Sequence, residues 1–196
     1  MRIIGGKFKG KKISLPDDKK TRPLKDIVKE SIFNLIIHSN KINTKIENAN
    51  ILDLFSGSGS FGLECLSRGA KNVFFIENFK EALIVLKRNI SELKYEEKSN
   101  IIELDCYDFL KSIDSNKALF DIIFCDPPYK ENKVKELMDM IKEKKILKKN
   151  GIIIFHRHKK DNVDFIKKVD VLDIRFYGIS QIVISTHSYQ LLYFSG

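Results

Sequence analysis

Two stretches of the chain combine residue types that can do chemistry. The first is Asp126-Pro127-Pro128-Tyr129, which follows the apolar run Phe120-Asp121-Ile122-Ile123-Phe124-Cys125. Proline has no backbone N–H and a fixed φ, so a strand that reaches Pro127 ends there. What remains is a stiff turn that presents one carboxylate, carbonyl oxygens and an aromatic ring. A strand-ending turn with a capping aspartate would read the same way, so the tetrapeptide alone decides nothing.

The second stretch runs from Ile51 to Gly62, Ile-Leu-Asp-Leu-Phe-Ser-Gly-Ser-Gly-Ser-Phe-Gly. It reads as a strand, a glycine-rich turn and a helix start. Gly57, Gly59 and Gly62 have the spacing of a dinucleotide fingerprint, in which the backbone turns tightly against a ligand. Asp53 precedes the loop. An acid there would repel a pyrophosphate but would attract a cationic or amine-bearing ligand. Glu77 follows at the end of the next apolar run, where it can accept hydrogen bonds from ribose hydroxyls. These features together fit S-adenosylmethionine, which has a sulfonium and an amino acid group and no phosphate. An NAD site is the alternative. Asp105-Cys106 follows the third apolar run, where an acid and backbone could reach an adenine edge, or where Asp105 could cap the next helix. The set expected at the cofactor is Asp53, Phe55, Gly57, Ser58, Gly59, Glu77, Asn78, Asp105 and Cys106.

With a methyl donor in place, the proline turn acquires a task. Methyl transfer to an exocyclic amine needs that amine held in line with the methyl group. Asp126 and the Pro127 carbonyl can accept its N–H groups as the nitrogen becomes cationic, and Tyr129 can stack on the base.

The elements that must position these loops alternate in type. Strands are expected at 49–55, 73–76, 101–104, 120–125 and 151–155. Helices are expected at 61–67, 80–93, 107–113, 133–144 and about Val163 to Lys168. Further β-like runs cover 169–177, 181–186 and 189–194. Strands alternating with helices imply an α/β, doubly wound, Rossmann-like sheet, whose ligands bind beyond the C-terminal strand ends. The body is taken as 49–196, preceded by a 1–48 arm.

The arm is basic. Residues 1–30 hold ten lysines and arginines against four acids, a local net of +6 out of +9 for all 196 residues. Gly5-Gly6 and Gly10 punctuate a small hairpin, with Phe8 between Lys7 and Lys9. Concentrated charge and an interleaved aromatic suit nucleic acid; Phe8 packed on the body is the alternative. A helix of about Asp26 to His38 follows, and the polar 39–49 stretch reads as a linker. Three cysteines without a C-x-x-C pair, no signal core and no long apolar run argue for a cytoplasmic protein without a membrane span. His156 and His158 alternate at a strand end, but without a ligand cluster no metal is expected.

The chain resembles the RsmD family over nearly its full length. The resemblance rests on Met1-Arg2-Ile3-Ile4-Gly5-Gly6-Lys7, Thr21-Arg22-Pro23, Val28-Lys29-Glu30-Ser31-Ile32-Phe33-Asn34, the glycine loop, Gly62-Leu63-Glu64, Ser67-Arg68-Gly69-Ala70, Asp126-Pro127-Pro128-Tyr129 and Tyr177-Gly178. It implies a class I S-adenosylmethionine-dependent methyltransferase fold and transfer to N2 of a guanine in 16S ribosomal RNA, within an assembling small subunit, by a monomer. Asp126, Pro127 and Tyr129 would be catalytic, with Arg2, Lys7, Lys9, Arg22 and Pro128 toward the RNA. The pattern departs at Ile27, where the family often has arginine, and at Phe155-His156, where it usually has an acid. A DNA adenine or cytosine amino-methyltransferase would need a sizeable base-reading domain, and a non-catalytic RNA-binding assembly factor would not need Asp126 or Gly57.

Overall fold

The residues alternating along the central strands point to opposite sides, and each side has its own helices. Ile51, Ile122, Phe124, Ile152 and Ile154 lie in one buried cluster, and Leu52, Leu54, Ile123, Cys125, Ile153 and Phe155 in the other. That period of two with apolar residues on both faces marks a sheet covered on both sides. The strands are β1 (Asn50–Leu54), β2 (Asn72–Ile76), β3 (Ser99–Ile102), β4 (Phe120–Cys125), β5 (Leu147–His158), β6 (Asp170–Tyr177) and β7 (Ser180–Thr186). The computed structural model describes residues 1–17, 24–114, 119–128, 131, 133–161 and 169–186. Arg22, Tyr129, the helix expected near Val163 to Lys168 and the run at 189–194 lie outside them.

The sheet order is β3-β2-β1-β4-β5-β7-β6. The pairs from β3 through β5 are parallel, and β7 is antiparallel to both β5 and β6. The chain reverses direction of travel between β1 and β4. Their C-terminal ends therefore flank the crevice in which doubly wound sheets bind ligands. Helices α1 (Asp26–His38), α2 (Ser60–Ser67) and α3 (Lys80–Glu92) cover one face; α4 (Cys106–Ser112) and α5 (Val134–Lys144) cover the other. Three stacked rings cross the first face: Phe33 of α1 lies 5.3 Å from Phe61 of α2, which lies 4.0 Å from Phe124 of β4.

Strand β5 extends well past the expected 151–155. Its polar ends are ordered by partners rather than by apolar pattern, with Leu147 beside Phe120 and His158 beside Ser180. The N-terminal segment forms the expected small hairpin, with a bridge between Arg2 and Lys12 and bonds from Ile3 N–H to the Lys11 carbonyl (2.9 Å), Gly10 N–H to the Ile3 carbonyl (2.8 Å) and Ile13 N–H to the Met1 carbonyl (3.0 Å). The amides at its tip bond elsewhere: Lys7 N–H donates to the Ser67 carbonyl (2.7 Å) and Phe8 N–H to Ser67 Oγ (2.9 Å). The 39–49 stretch is not a loose linker, because Ile42, Thr44, Ile46 and Ala49 are buried.

Buried polar groups fasten the arm to the body. Lys29 is fully buried and donates to the Arg2 carbonyl (2.6 Å) and Ser60 Oγ (3.3 Å), with Glu64 Oε2 at 3.7 Å. Glu64 also accepts from Ile4 N–H (2.8 Å) and Arg68 Nε (2.8 Å). Burial pushes the Lys29 ammonium down from its usual range, while Glu64 and Asp26 hold it up. Lys29 thus leaves the outward charge of the arm and becomes an internal staple.

Candidate functional site

The glycine loop leaves β1 through Phe55, whose φ of 58° is uncommon for a residue with a side chain. Two carboxylates then hold it by its backbone. Asp53 Oδ2 accepts from Gly62 N–H (3.0 Å) and Glu77 Oε2 from Gly57 N–H (2.7 Å). The other oxygen of Glu77 accepts from Asn78 and Phe79 N–H (2.9 Å each). Gly59 has φ 80°, and a β-carbon there would sit 2.4 Å from Leu86 Cδ1. A β-carbon at Gly62 would sit 2.3 Å from Phe75 Cε1, so this glycine lets α2 pack closely on β2.

Asp53 is 1% exposed, so it lies beneath the loop rather than open to the crevice. In the structure it supports the loop, through the bond from Gly62 N–H. Burial pushes its carboxyl well above the usual carboxylate range; Gly62 N–H opposes this, and Asp126 and Glu77 add to it. Glu77 and Asp126 follow β2 and β4, the two neighbours of β1, so three carboxylates converge at adjacent C-terminal strand ends, with Asp53 beneath the loop.

Ser58 is buried, and its carbonyl accepts from Asn89 Nδ2 (2.9 Å). Asn89 also exchanges two bonds with the Ser14 backbone, so one side chain on α3 joins the arm to the loop. Asp105 caps α4 by accepting from Tyr107 N–H (2.8 Å), with its second oxygen 3.4 Å from Asn78 Nδ2. The helix-cap alternative is therefore realised, and Asn78 and Asp105 stand together at the β2 and β3 ends. Cys106 is buried, and burial raises its thiol well above the usual range.

Across the crevice, the β4 turn is gripped by the end of β5. Asp126 Oδ1 lies 2.9 Å from His156 Nδ1, and His156 Nε2 lies 2.9 Å from Ser180 Oγ. Arg157 donates to the Pro128 carbonyl (3.2 Å) and the Glu131 carbonyl (3.1 Å), and pairs with Asp161 at 2.9 Å. Pro127 is buried and Pro128 exposed. Sequence reasoning gave no role to Arg157, Ser180 or Asn89; it weighed His156 as a metal ligand and noted Phe155-His156 as a departure from the family pattern. The one signal was a pair of polar residues, His156-Arg157, ending an apolar run.

On the arm, Arg2, Lys7 and Lys9 are exposed. Arg2 lies 3.7 Å from Asp26. Phe8 is spent internally, edge-on to Tyr95 at 5.3 Å. The packed alternative for that ring is the correct one.

Comparison with known proteins identifies the family and the fold. The family model described as conserved hypothetical protein 95 matches residues 1–186. A curated relative from Haemophilus influenzae, named ribosomal RNA small subunit methyltransferase D, is 36% identical over 160 residues, 81% of this chain and 79% of its own. The chain belongs to the RsmD family. A solved structure of a candidate methylase from Haemophilus influenzae is 31% identical, with a TM-score of 0.76 over 94% of this chain and 96% of its own. A candidate methyltransferase from Escherichia coli, yhhF, is 26% identical, with a TM-score of 0.79 over 95% of this chain and 97% of its own. The RsmD sheet seen here is the class I methyltransferase fold.

Proposed function

We propose that the protein is an S-adenosylmethionine-dependent 16S ribosomal RNA methyltransferase that acts on the exocyclic N2 amine of a guanine. The observation that carries this reading is Asp126, held on a proline turn at the β4 end and facing the glycine loop across the switch point. The converging carboxylates support the cofactor. Burial raises Asp53 first and the neighbouring Asp126 and Glu77 add to it; a cation opposes that added repulsion, whereas a pyrophosphate would worsen it. Glu77 and Asn78 are placed for ribose hydroxyls, Asp105 and Cys106 for the adenine edge, and Phe55 to Gly59 for the amino acid portion. Glu77 gives three of its about four lone-pair sites to backbone N–H groups and keeps one for this.

The bound cofactor supplies an electrophilic methyl group. Asp126 and the Pro127 carbonyl accept the amine's two N–H groups, aim its lone pair, and draw off charge as the nitrogen becomes cationic. Asp126 is then the acceptor for the proton the amine must lose. Tyr129 stacks on the base, which reaches the crevice flipped from its loop. Arg2, Lys7, Lys9 and Arg22 hold phosphates and Pro128 borders the base, with residues 1–48 as the RNA arm of a 49–196 catalytic body. The substrate context is an assembling small subunit, and the enzyme acts as a cytoplasmic monomer. No described helix is long and apolar enough to cross a membrane.

The test is transfer of labelled methyl to ribosomal RNA from cells lacking the gene, with the modified base mapped. Asp126→Ala should abolish transfer while calorimetry still shows S-adenosylmethionine binding. Binding of NAD in its place overturns the cofactor assignment. Lys7→Glu with Lys9→Glu should raise the RNA KM and flatten its salt dependence, by about 0.7–0.9 in log–log slope for each phosphate the arm ceases to neutralise. An unchanged slope removes the arm from the RNA site.

A further inference from the structure

We infer that His156 is a positioning residue for Asp126, and that Ser180 fixes the ring in the state that lets it act; this rests on the methyl-transfer reading above. A carboxylate accepts hydrogen bonds and does not donate them. The 2.9 Å separation therefore puts a proton on His156 Nδ1, pointing at Asp126 Oδ1. In the neutral ring Nε2 is then the acceptor, and the Ser180 hydroxyl, also at 2.9 Å, must donate to it. The bonds run one way, from Ser180 through His156 to Asp126.

The consequence lies in the two oxygens of Asp126. An unsupported carboxylate on a turn rotates, and either oxygen can meet the amine. Here Oδ1 is tied inward to a ring that is 4% exposed. Oδ2 accepts no hydrogen bond from any of the described residues, and the Asp126 side chain is 22% exposed. One acceptor oxygen is thus held in one place for the amine. The anchors are rigid. His156 and Ser180 sit on antiparallel neighbours β5 and β7, paired in register from Ile153–Ser185 to His158–Ser180. Arg157, the next residue, holds the backbone of the same turn through the Pro128 and Glu131 carbonyls. The β5 end fixes the turn's backbone with one side chain and its carboxylate with the other.

A merely structural histidine would matter for folding and leave the chemistry alone. The two roles separate in the full-length protein, assayed for methyl transfer to undermethylated 16S ribosomal RNA and for S-adenosylmethionine affinity by calorimetry. His156→Leu should lower kcat by about 100-fold, as misorientation of a reacting group does, with cofactor Kd and RNA KM unchanged. His156→Asn places an amide N–H near the Nδ1 position and should recover about tenfold of that loss. Ser180→Ala removes the donor to Nε2 and should lower kcat by about tenfold. A wild-type kcat in His156→Leu, or an asparagine variant no better than leucine, overturns the inference. If the leucine variant does not fold, a wild-type kcat in Ser180→Ala overturns it instead. A wild-type protein inactive on ribosomal RNA overturns the methyl-transfer reading itself, a result distinct from active enzyme with indifferent variants.

Discussion

The two loops that face each other across the strand ends are held in opposite ways. The glycine loop is held by its own backbone. Its N–H groups reach Asp53 and Glu77, nine and twenty residues from the glycines they bind. The proline turn has one N–H fewer to offer at each proline, and is held by side chains from far along the chain. His156 and Arg157 lie thirty and twenty-nine residues from the groups they grip, and Ser180 twenty-four further. A backbone-held loop tolerates no added side chain, because its shape is the binding surface. A side-chain-held turn keeps its shape when a neighbour changes but loses its aim. Damage to the first should therefore appear in stability and cofactor affinity together, and damage to the second in kcat.

The largest effect is expected where the first rule is broken. Gly59→Ala puts a side chain at φ 80° and a β-carbon 2.4 Å from Leu86. We expect a loss of about 3 kcal/mol in denaturant unfolding, part from the left-handed backbone and part from overpacking, with weaker cofactor binding by calorimetry. Gly10→Ala supplies the control. Its φ is 90° with nothing within 4 Å of the added carbon, so only the backbone cost of about 1 kcal/mol applies. Equal losses at the two glycines would mean that Leu86 yields freely and the loop is softer than described.

A smaller effect should follow from loosening the turn. Arg157→Met removes two bonds to carbonyls and leaves Asp161 without its cation. Asp161 is 24% exposed and partly solvated, so the stability loss should be modest, about 1–2 kcal/mol. Methyl transfer should fall while S-adenosylmethionine affinity stays at the wild-type value. A parallel loss of cofactor affinity would show that the two loops are not held independently.

The same contrast explains what could be read from the chain in advance. The βα units of the glycine loop lie within residues 50–92, and local pattern reveals them: apolar runs, glycine spacing, and acids at strand ends. The order of the parallel strands follows from that alternation. The support of the turn depends on which strand lies beside β4 and β5 and in what register, and pairings such as His156 with Ile182 leave no trace in local composition. Lys29 misled for a related reason. A lysine in a basic segment reads as surface charge, and only the burial of Glu64 beneath the arm makes it a core residue. Phe8 was ambiguous because Tyr95, its partner, is eighty-seven residues away.

The finest test concerns Asp53, which belongs to the backbone-held loop yet feels the other side. Its carboxyl is raised first by burial and then by Asp126 and Glu77, against the pull of Gly62 N–H. A carboxyl raised in the folded state binds more protons there than in the unfolded chain. Stability without cofactor should therefore fall as pH rises from about 4 toward the raised value, and stay low above it. Asp53→Asn keeps an oxygen for Gly62 N–H and removes the ionisation. It should flatten that decline, so that urea midpoints at pH 5 and pH 8 lie closer together than in the wild type. The same change removes negative potential from the crevice and should weaken binding of the cationic cofactor on the order of tenfold. A protein that gains stability by losing a carboxylate and binds its ligand less well has kept that carboxylate for the ligand. Asparagine with an undiminished pH decline would place the titrating group elsewhere, and undiminished cofactor affinity would make Asp53 a support for the loop alone.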